Sequence, residues 1–395
     1  MRSTPRRIGL ITPLAVALAL GLAPPAVAGP REQARRMHDR LAGVPPSDAV
    51  LTTMAQRIAT GAHDDAVAAA YIAMQNPEFY RVVLKNWISP WTNVDRTVHA
   101  PLNDYSATVI GLIRDDRPFT EVLTADVVYV GANGVVGTPY SHTDNQHYQE
   151  LESQRIDLGD PTQFVPVAQS SLPGAQVAPN DAAGVLTTRA FGEAYFSAGT
   201  NRRAWRFTGV NFLCRDMEQL HDITRPVDRI RQDVTRSPGG DSQIFHNTCA
   251  GCHTGMDPMT GAFAYFDWDA TQMRVVHTPG QVRPKYRQNA NVFPYGYITI
   301  DNRWDNYWRE GAHANLVWRG PNSGGFGPKT MGEEVAMSRA FSVCQVEKAF
   351  QQVCFRTPKN AADSNEIERI ADVFEANGYA MKRVFAEVAA WCMGS

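Results

Sequence analysis

The 395-residue chain has no long run of like charges, and its 38 basic residues nearly balance its 40 acidic ones. Nucleic-acid binding depends on a concentrated basic surface, so this balance offers no electrostatic case for a nucleic-acid partner. After residue 28, no segment offers about 18 uninterrupted apolar residues, and we therefore predict no membrane span in the mature chain. No internal repeat is present.

The N-terminus has the features of an export signal. Its first seven residues include three arginines, and an apolar run from Ile8 to Leu22 follows. Ala26-Val27-Ala28 then provides the small-x-small pattern of a cleavage site. We therefore predict that residues 1–28 are a removed signal peptide and that the mature protein is periplasmic.

The distribution of apolar residues predicts a mainly α protein. Residues 29–130 contain several amphipathic or Ala-rich stretches and are predicted to form an N-terminal helical domain. Residues 131–182 are rich in Gly, Pro, Ser and Asn, which predicts a loop-rich linker. Residues 331–395 are predicted to form a C-terminal helical domain, a bundle with helices over about 331–355, 364–377 and 380–393.

Two of the six cysteines lie in the sequence Cys249-Ala250-Gly251-Cys252-His253. Thiols three positions apart on one helical turn can bond to the two vinyl groups of a haem, and the following histidine can bind its iron. We therefore predict one covalently attached haem c, with Cys249, Cys252 and His253 as cofactor-binding residues and His253 as the metal ligand. Residues 183–330 are then a haem-binding, helical c-type cytochrome domain with loop-rich insertions.

Other uses of a C-x-x-C pair fit this sequence less well. A zinc site would need a second pair of ligands at suitable spacing, and the sequence has no second C-x-x-C. A thioredoxin-like redox pair would follow a buried strand, whereas residues 237–242 are typical of a loop. An ordinary disulfide between the two cysteines is the remaining alternative.

The residues after the motif resemble a known family. Met256-Asp257-Pro258 and the later pair Phe266-Asp267 resemble the haem segment of planctomycete-type cytochrome c domain proteins, in which CxxCH precedes an MDP-type sequence and an aromatic-Asp pair. Residues 183–187 resemble their G-x-L-T pattern, and residues 344–358 resemble a helix end of their C-terminal domain, with Phe355 at the usual Gly. The resemblance implies a helical mono-haem protein, and many members are suspected to pass electrons or to assist polymer breakdown.

An electron-transfer cytochrome usually has a sixth iron ligand, commonly Met or His. Met256 is too close to His253, because three residues span at most about 11 Å and the ligand must reach round the haem. We predict Met331 as this second metal ligand, since it follows a Gly/Pro-rich loop and begins a predicted helix. The other candidates are Met273, His277, His313 and Met337.

If haem attachment uses two cysteines, the remaining four permit three pairings. Cys344 and Cys354 would lie about 15 Å apart along one predicted helix, which is too far for a disulfide. Three successive antiparallel helices would bring Cys354 near Cys392, and Cys214 would then pair with Cys344. Buried reduced thiols are the alternative, which export disfavours.

These observations favour an exported mono-haem c-type cytochrome that transfers electrons in the periplasm, alone or as a redox subunit beside a redox partner protein. The first alternative is a haem peroxidase or oxygenase with an open distal site, where His246, His277 or His313 could supply polar groups. The second is a protein that binds a carbohydrate or another protein through an aromatic-rich segment with Trp304, Tyr307, Trp308 and Trp318. No Ser-His-Asp, paired-carboxylate or phosphate-loop pattern stands out, so we assign no catalytic residue.

Overall fold

The computed structural model describes residues 28–394, and this part of the chain is mainly α-helical, as predicted. The signal-peptide prediction falls almost entirely on residues outside this range and stays a prediction. The helices are α1 (Pro30–Ala42), α2 (Asp48–Ile58), α3 (His63–Ala73), α4 (Lys85–Ile88), α5 (Asp104–Arg114), α6 (Gln146–Ser153), α7 (Arg189–Tyr195), α8 (Arg202–Phe212), α9 (Ser242–Ile244), α10 (Ala250–Thr260), α11 (Gly327–Ala336), α12 (Arg339–Cys354), α13 (Ala361–Ala376) and α14 (Met381–Cys392).

Six short strands form three two-stranded antiparallel sheets within the described residues. The paired strands are β1 (Val128–Gly131) with β2 (Phe164–Val167), β3 (Phe266–Asp269) with β4 (Arg274–His277), and β5 (Arg303–Asp305) with β6 (Gly324–Phe326). Residues 131–182, which were predicted to be a loop-rich linker, contain helix α6 and strand β2. The side chains of Tyr148 and Phe164 in this segment are buried in the core.

One main hydrophobic core extends through the chain from Ala34 to Ala390. The first three helices pack against each other, and α1 and α3 also pack on α14, which in turn contacts α12 and α13. The ends of these helices are set by local capping: Ser47 accepts the N–H of Val50 at the start of α2. The first and last helices of the described chain therefore share one packed body.

The predicted helix over 331–355 is wrong as a single element. Helix α11 begins at Gly327, where Pro328 suits the first turn, and it ends at Ala336. Ser338 then adopts an extended conformation and its Oγ accepts the N–H of Phe341 at 3.1 Å, which starts α12. A capping serine thus divides a stretch whose apolar periodicity looks continuous. The two later helices lie within three residues of their predicted bounds.

Four cysteines form the two disulfides that the helix order predicted. Cys214 pairs with Cys344, with a Cα–Cα distance of 5.3 Å, and this bond ties the segment after α8 to α12. Cys354 pairs with Cys392, at 5.5 Å between Cα atoms, and joins the ends of α12 and α14. Over residues 28–394, the longest helices are too short or too polar to cross a membrane.

Candidate functional site

The three residues of the CxxCH motif lie at the start of α10. A π-helical turn, Phe245–Cys249, runs directly into this helix, and such turns often occur at functional sites. Because an α-helix advances about 100° per residue, Cys249, Cys252 and His253 share one face. All three are partly exposed.

The opposite face of this turn is closely packed. A Cβ atom on Gly251 would lie 2.3 Å from Nε2 of His221, so the glycine allows the helix to approach that ring. The face that carries the two thiols and His253 is the more exposed side of this turn, since residues 250, 251 and 254 are buried.

Both motif cysteines are free thiols, unlike the four cysteines in disulfides. Sγ of Cys252 lies 3.4 Å from the carbonyl oxygen of Met217. Burial, assisted by the charge of Glu218, raises the pKa of the Cys252 thiol. A thioredoxin-like pair relies on a lowered thiol pKa, so this environment does not favour dithiol redox catalysis.

The His253 ring is held by a carboxylate one helical turn later. Its Nδ1 lies 3.1 Å from Oδ1 of Asp257, an i,i+4 contact along α10. Among residues 28–394, no protein group hydrogen-bonds the other ring nitrogen, Nε2. A histidine that binds a metal through one nitrogen commonly donates from the other to a carboxylate, and His253 has this arrangement.

Asp257 is in turn fixed by buried hydrogen bonds. Its two carboxylate oxygens accept from Nε and Nη2 of Arg202 at 2.6 and 2.9 Å, and Oδ2 also accepts the backbone N–H of Arg231 at 3.1 Å. Arg202 makes a second two-pronged contact with Asp233, at 2.6 and 2.8 Å. Burial alone would raise the pKa of Asp257, but the charges of Arg202 and His253 hold this pKa well below its usual range.

Seven exposed large apolar side chains occur in residues 223–244 and 292–300. Residues 230–232 lie next to α10, because the backbone N–H of Arg231 donates to Asp257. The backbone carbonyl oxygens of residues 232 and 230 accept the N–H groups of Phe293 and Tyr297. Tyr295 between these two is 91% exposed, which is unusual for a large aromatic residue. The exposed apolar side chains of this region are Ile223, Val227, Ile244, Val292, Tyr295, Ile298 and Ile300.

These features fit a covalently attached haem. The site offers two free thiols three positions apart and an imidazole whose Nε2 is available. Within residues 28–394, no three His, Cys, Asp or Glu side chains converge as ligands of one metal ion.

The structure does not place Met331 with the motif. Met331 is fully buried in the main core on α11, whereas Cys249 packs against a separate small cluster that includes Phe245 and Ala250. Met331 as the sixth ligand stays a prediction that this packing does not favour. Met256 also lies in the main core.

The other candidate ligands are dispersed. His277 is buried and stacks on Phe266 with 4.2 Å between ring centroids. His313 lies 3.3 Å from the backbone oxygen of His221, and His246 is exposed on the π-helical turn. Of the four aromatics of the second alternative, Trp304 and Trp308 are fully buried, whereas Tyr307 and Trp318 are partly exposed.

Sequence reasoning missed the residues that support His253. The i,i+4 spacing of His253 and Asp257 on a predicted helix was a local signal for their contact. Arg202 and Asp233 carry no such signal, because they lie 55 and 24 residues before Asp257 and only folding brings them together.

No protein-family model, curated protein or solved structure matches this chain. A functional assignment therefore rests on the chemistry of the site itself.

Proposed function

We propose that the protein is an exported mono-haem c-type cytochrome that transfers electrons in the periplasm, alone or as a redox subunit. One observation carries the proposal: Cys249 and Cys252 remain free thiols beside a carboxylate-held His253, while the other four cysteines are in disulfides. The resemblance of residues 249–267 to planctomycete-type cytochrome c domains supports the same cofactor.

A bound haem would supply one-electron redox chemistry, and the chain's own residues would hold and tune it. The two cysteines would fix the macrocycle against the start of α10. Asp257 orients the His253 imidazole and makes it a stronger electron donor. Arg202 keeps Asp257 charged and in place, and so limits how far the histidine can rotate.

A haem peroxidase or oxygenase is the second candidate, favoured by the same carboxylate–histidine bond. A strongly donating proximal ligand stabilises oxidised iron, which suits oxygen or peroxide chemistry. The two candidates differ in the sixth coordination position: an electron carrier keeps it filled, whereas an enzyme keeps it open to a substrate.

Optical spectroscopy with carbon monoxide distinguishes these candidates. The mature protein would be produced in a periplasm with haem-attachment machinery, and spectra of both oxidation states would be recorded with and without the gas. We expect a low-spin spectrum that carbon monoxide does not change. A high-spin spectrum that shifts with carbon monoxide would contradict electron transfer as the main role and favour catalysis at the iron.

A pair of methionine variants tests the sixth ligand. If Met331 binds the iron, Met331→Ala converts the protein to a high-spin form. Met259→Ala is the matched control, because Met259 is equally buried in the main core but lies on α10 itself, too close to His253 along the chain to reach the other side of a haem. Identical low-spin spectra for both variants would exclude Met331.

A further inference from the structure

A cleft of about 570 Å³ lies between α4, the end of α8 and the surface of α12. This volume is typical of small-molecule sites. Its walls combine apolar and cationic side chains: Trp87, Trp91, Arg96, Arg215 and Lys348. No residue of the CxxCH motif lines it.

Lys348 is the central charged group of this cleft. Its Nζ donates to the carbonyl oxygen of Asn211 at 2.7 Å and lies 3.9 Å from the centroid of the Trp91 ring. Among residues 28–394, neither Lys348 nor Arg96 nor Arg215 forms a salt bridge with a carboxylate. Burial, followed by the charge of Arg96, lowers the pKa of Lys348 well below its usual range.

Two carboxylates also line the wall, and their charges act on two of these cations: Asp216 on Arg96, and Glu347 on Lys348. Asp216 is bound by Arg206, with Nε to Oδ1 and Nη2 to Oδ2 both at 2.7 Å. Glu347 precedes Lys348 on α12 and makes no ion pair with it. Three basic residues against two carboxylates leave the lining with an excess of positive charge next to indole rings.

We propose that this cleft binds a small carboxylate with an apolar body. The carboxylate would pair with the half-buried Lys348 and the exposed Arg96, because hydrogen bonds between a cation and a carboxylate are charge-assisted. The apolar body would contact Trp87, Val98 and Val210, which line the same cleft. The proposal does not depend on the haem.

The cleft is nevertheless close to the motif along the chain. Asp216 on its wall precedes Met217, whose carbonyl oxygen lies 3.4 Å from Sγ of Cys252. An occupant of the cleft would therefore lie beside the segment that contacts the second motif cysteine.

Calorimetric titration of the mature, disulfide-bonded protein with benzoate tests this proposal. Benzyl alcohol serves as the uncharged analogue of similar shape. We expect benzoate to bind with a dissociation constant of about 1 mM, and benzyl alcohol to bind at least about tenfold more weakly. Lys348→Met should weaken benzoate binding by a similar factor.

Lys382→Met is the matched control. Lys382 also donates to a backbone carbonyl, that of Arg114 at 2.9 Å, but it pairs with Asp116 and does not line the cleft. Its variant should bind benzoate as the unaltered protein does. Arg96→Asn provides a second test if Lys348→Met fails to fold, since Arg96 has a φ of 54° that Asn tolerates.

Three results would overturn the proposal. The first is no measurable benzoate binding by the unaltered protein. The second is equal binding of benzoate and benzyl alcohol, which would remove the role of the charge. The third is unchanged benzoate affinity in folded Lys348→Met or Arg96→Asn protein.

Discussion

Asp257→Asn should raise the reduction potential of the attached haem. The change keeps the side chain's size but removes the negative charge that faces Nδ1 of His253 at 3.1 Å. At an effective dielectric constant of about 20, a unit charge about 7 Å from a second unit charge, that of the iron, changes its energy by about 2 kcal/mol. For one electron this corresponds to about 100 mV, and partial neutralisation by Arg202 reduces the expected increase to about 50 mV.

The sign follows from the charge on the iron. A carboxylate beside the proximal histidine stabilises the oxidised, more positive iron, so its loss favours the reduced form and raises the potential. The variant should also lose about 2–3 kcal/mol of stability, because Arg202 loses one of its two carboxylate partners.

Redox titration followed by optical absorbance measures the effect, and Asp233→Asn is the control. Asp233 binds the same guanidinium as Asp257, at 2.6 and 2.8 Å, but does not touch His253. We expect Asp233→Asn to weaken the network while it shifts the potential much less. An unchanged or lowered potential in Asp257→Asn, or equal shifts in both variants, would refute the assigned role of Asp257.

Three further predictions concern packing, cross-links and pH. A Cβ atom at position 255 would lie 2.1 Å from the ring of Trp308, so Gly255→Ala should cost at least about 2 kcal/mol in urea unfolding, and an unchanged midpoint would contradict this packing. Replacing both Cys354 and Cys392 with Ser removes a cross-link that spans 38 residues and should lower the free energy of unfolding by about 3–4 kcal/mol, whereas equal stability would show that the bond is not formed. Burial alone would raise the pKa of Glu387, but its hydrogen-bonded arginines and histidine hold that pKa below its usual range. Its contribution to stability is then present above the unfolded-state pKa of about 4.3 and is lost as the pH falls through the lower folded-state value. The stability gap between the unaltered protein and Glu387→Gln should therefore be smaller at about pH 3 than at about pH 6, and a gap independent of pH would contradict this.

The features that the sequence predicted correctly depend on local spacing or on simple helix order. The spacing of Cys249, Cys252 and His253 defines a single helical face without any knowledge of the fold. The pairing of Cys354 with Cys392 followed from antiparallel helices, because such a succession brings the ends of α12 and α14 together. The mainly α composition followed from apolar periodicity.

The features that sequence reasoning missed depend on tertiary contacts or on a single polar side chain. The break between α11 and α12 is made by one serine, whose hydroxyl caps a new helix within a continuous apolar pattern. The hydrogen bonds that hold Asp257 come from Arg202 and Arg231, so they join three separate segments of the chain.

Covalent haem attachment is the central claim, and intact mass spectrometry of the mature protein tests it most directly. The protein would be produced in a periplasm with haem-attachment machinery, beside a variant with Cys249→Ser and Cys252→Ser. We predict that the unaltered chain carries the added mass of one haem after denaturation and acid extraction, and that the variant does not. An unmodified mass for the unaltered chain, with the two motif cysteines joined in a disulfide, would contradict the account.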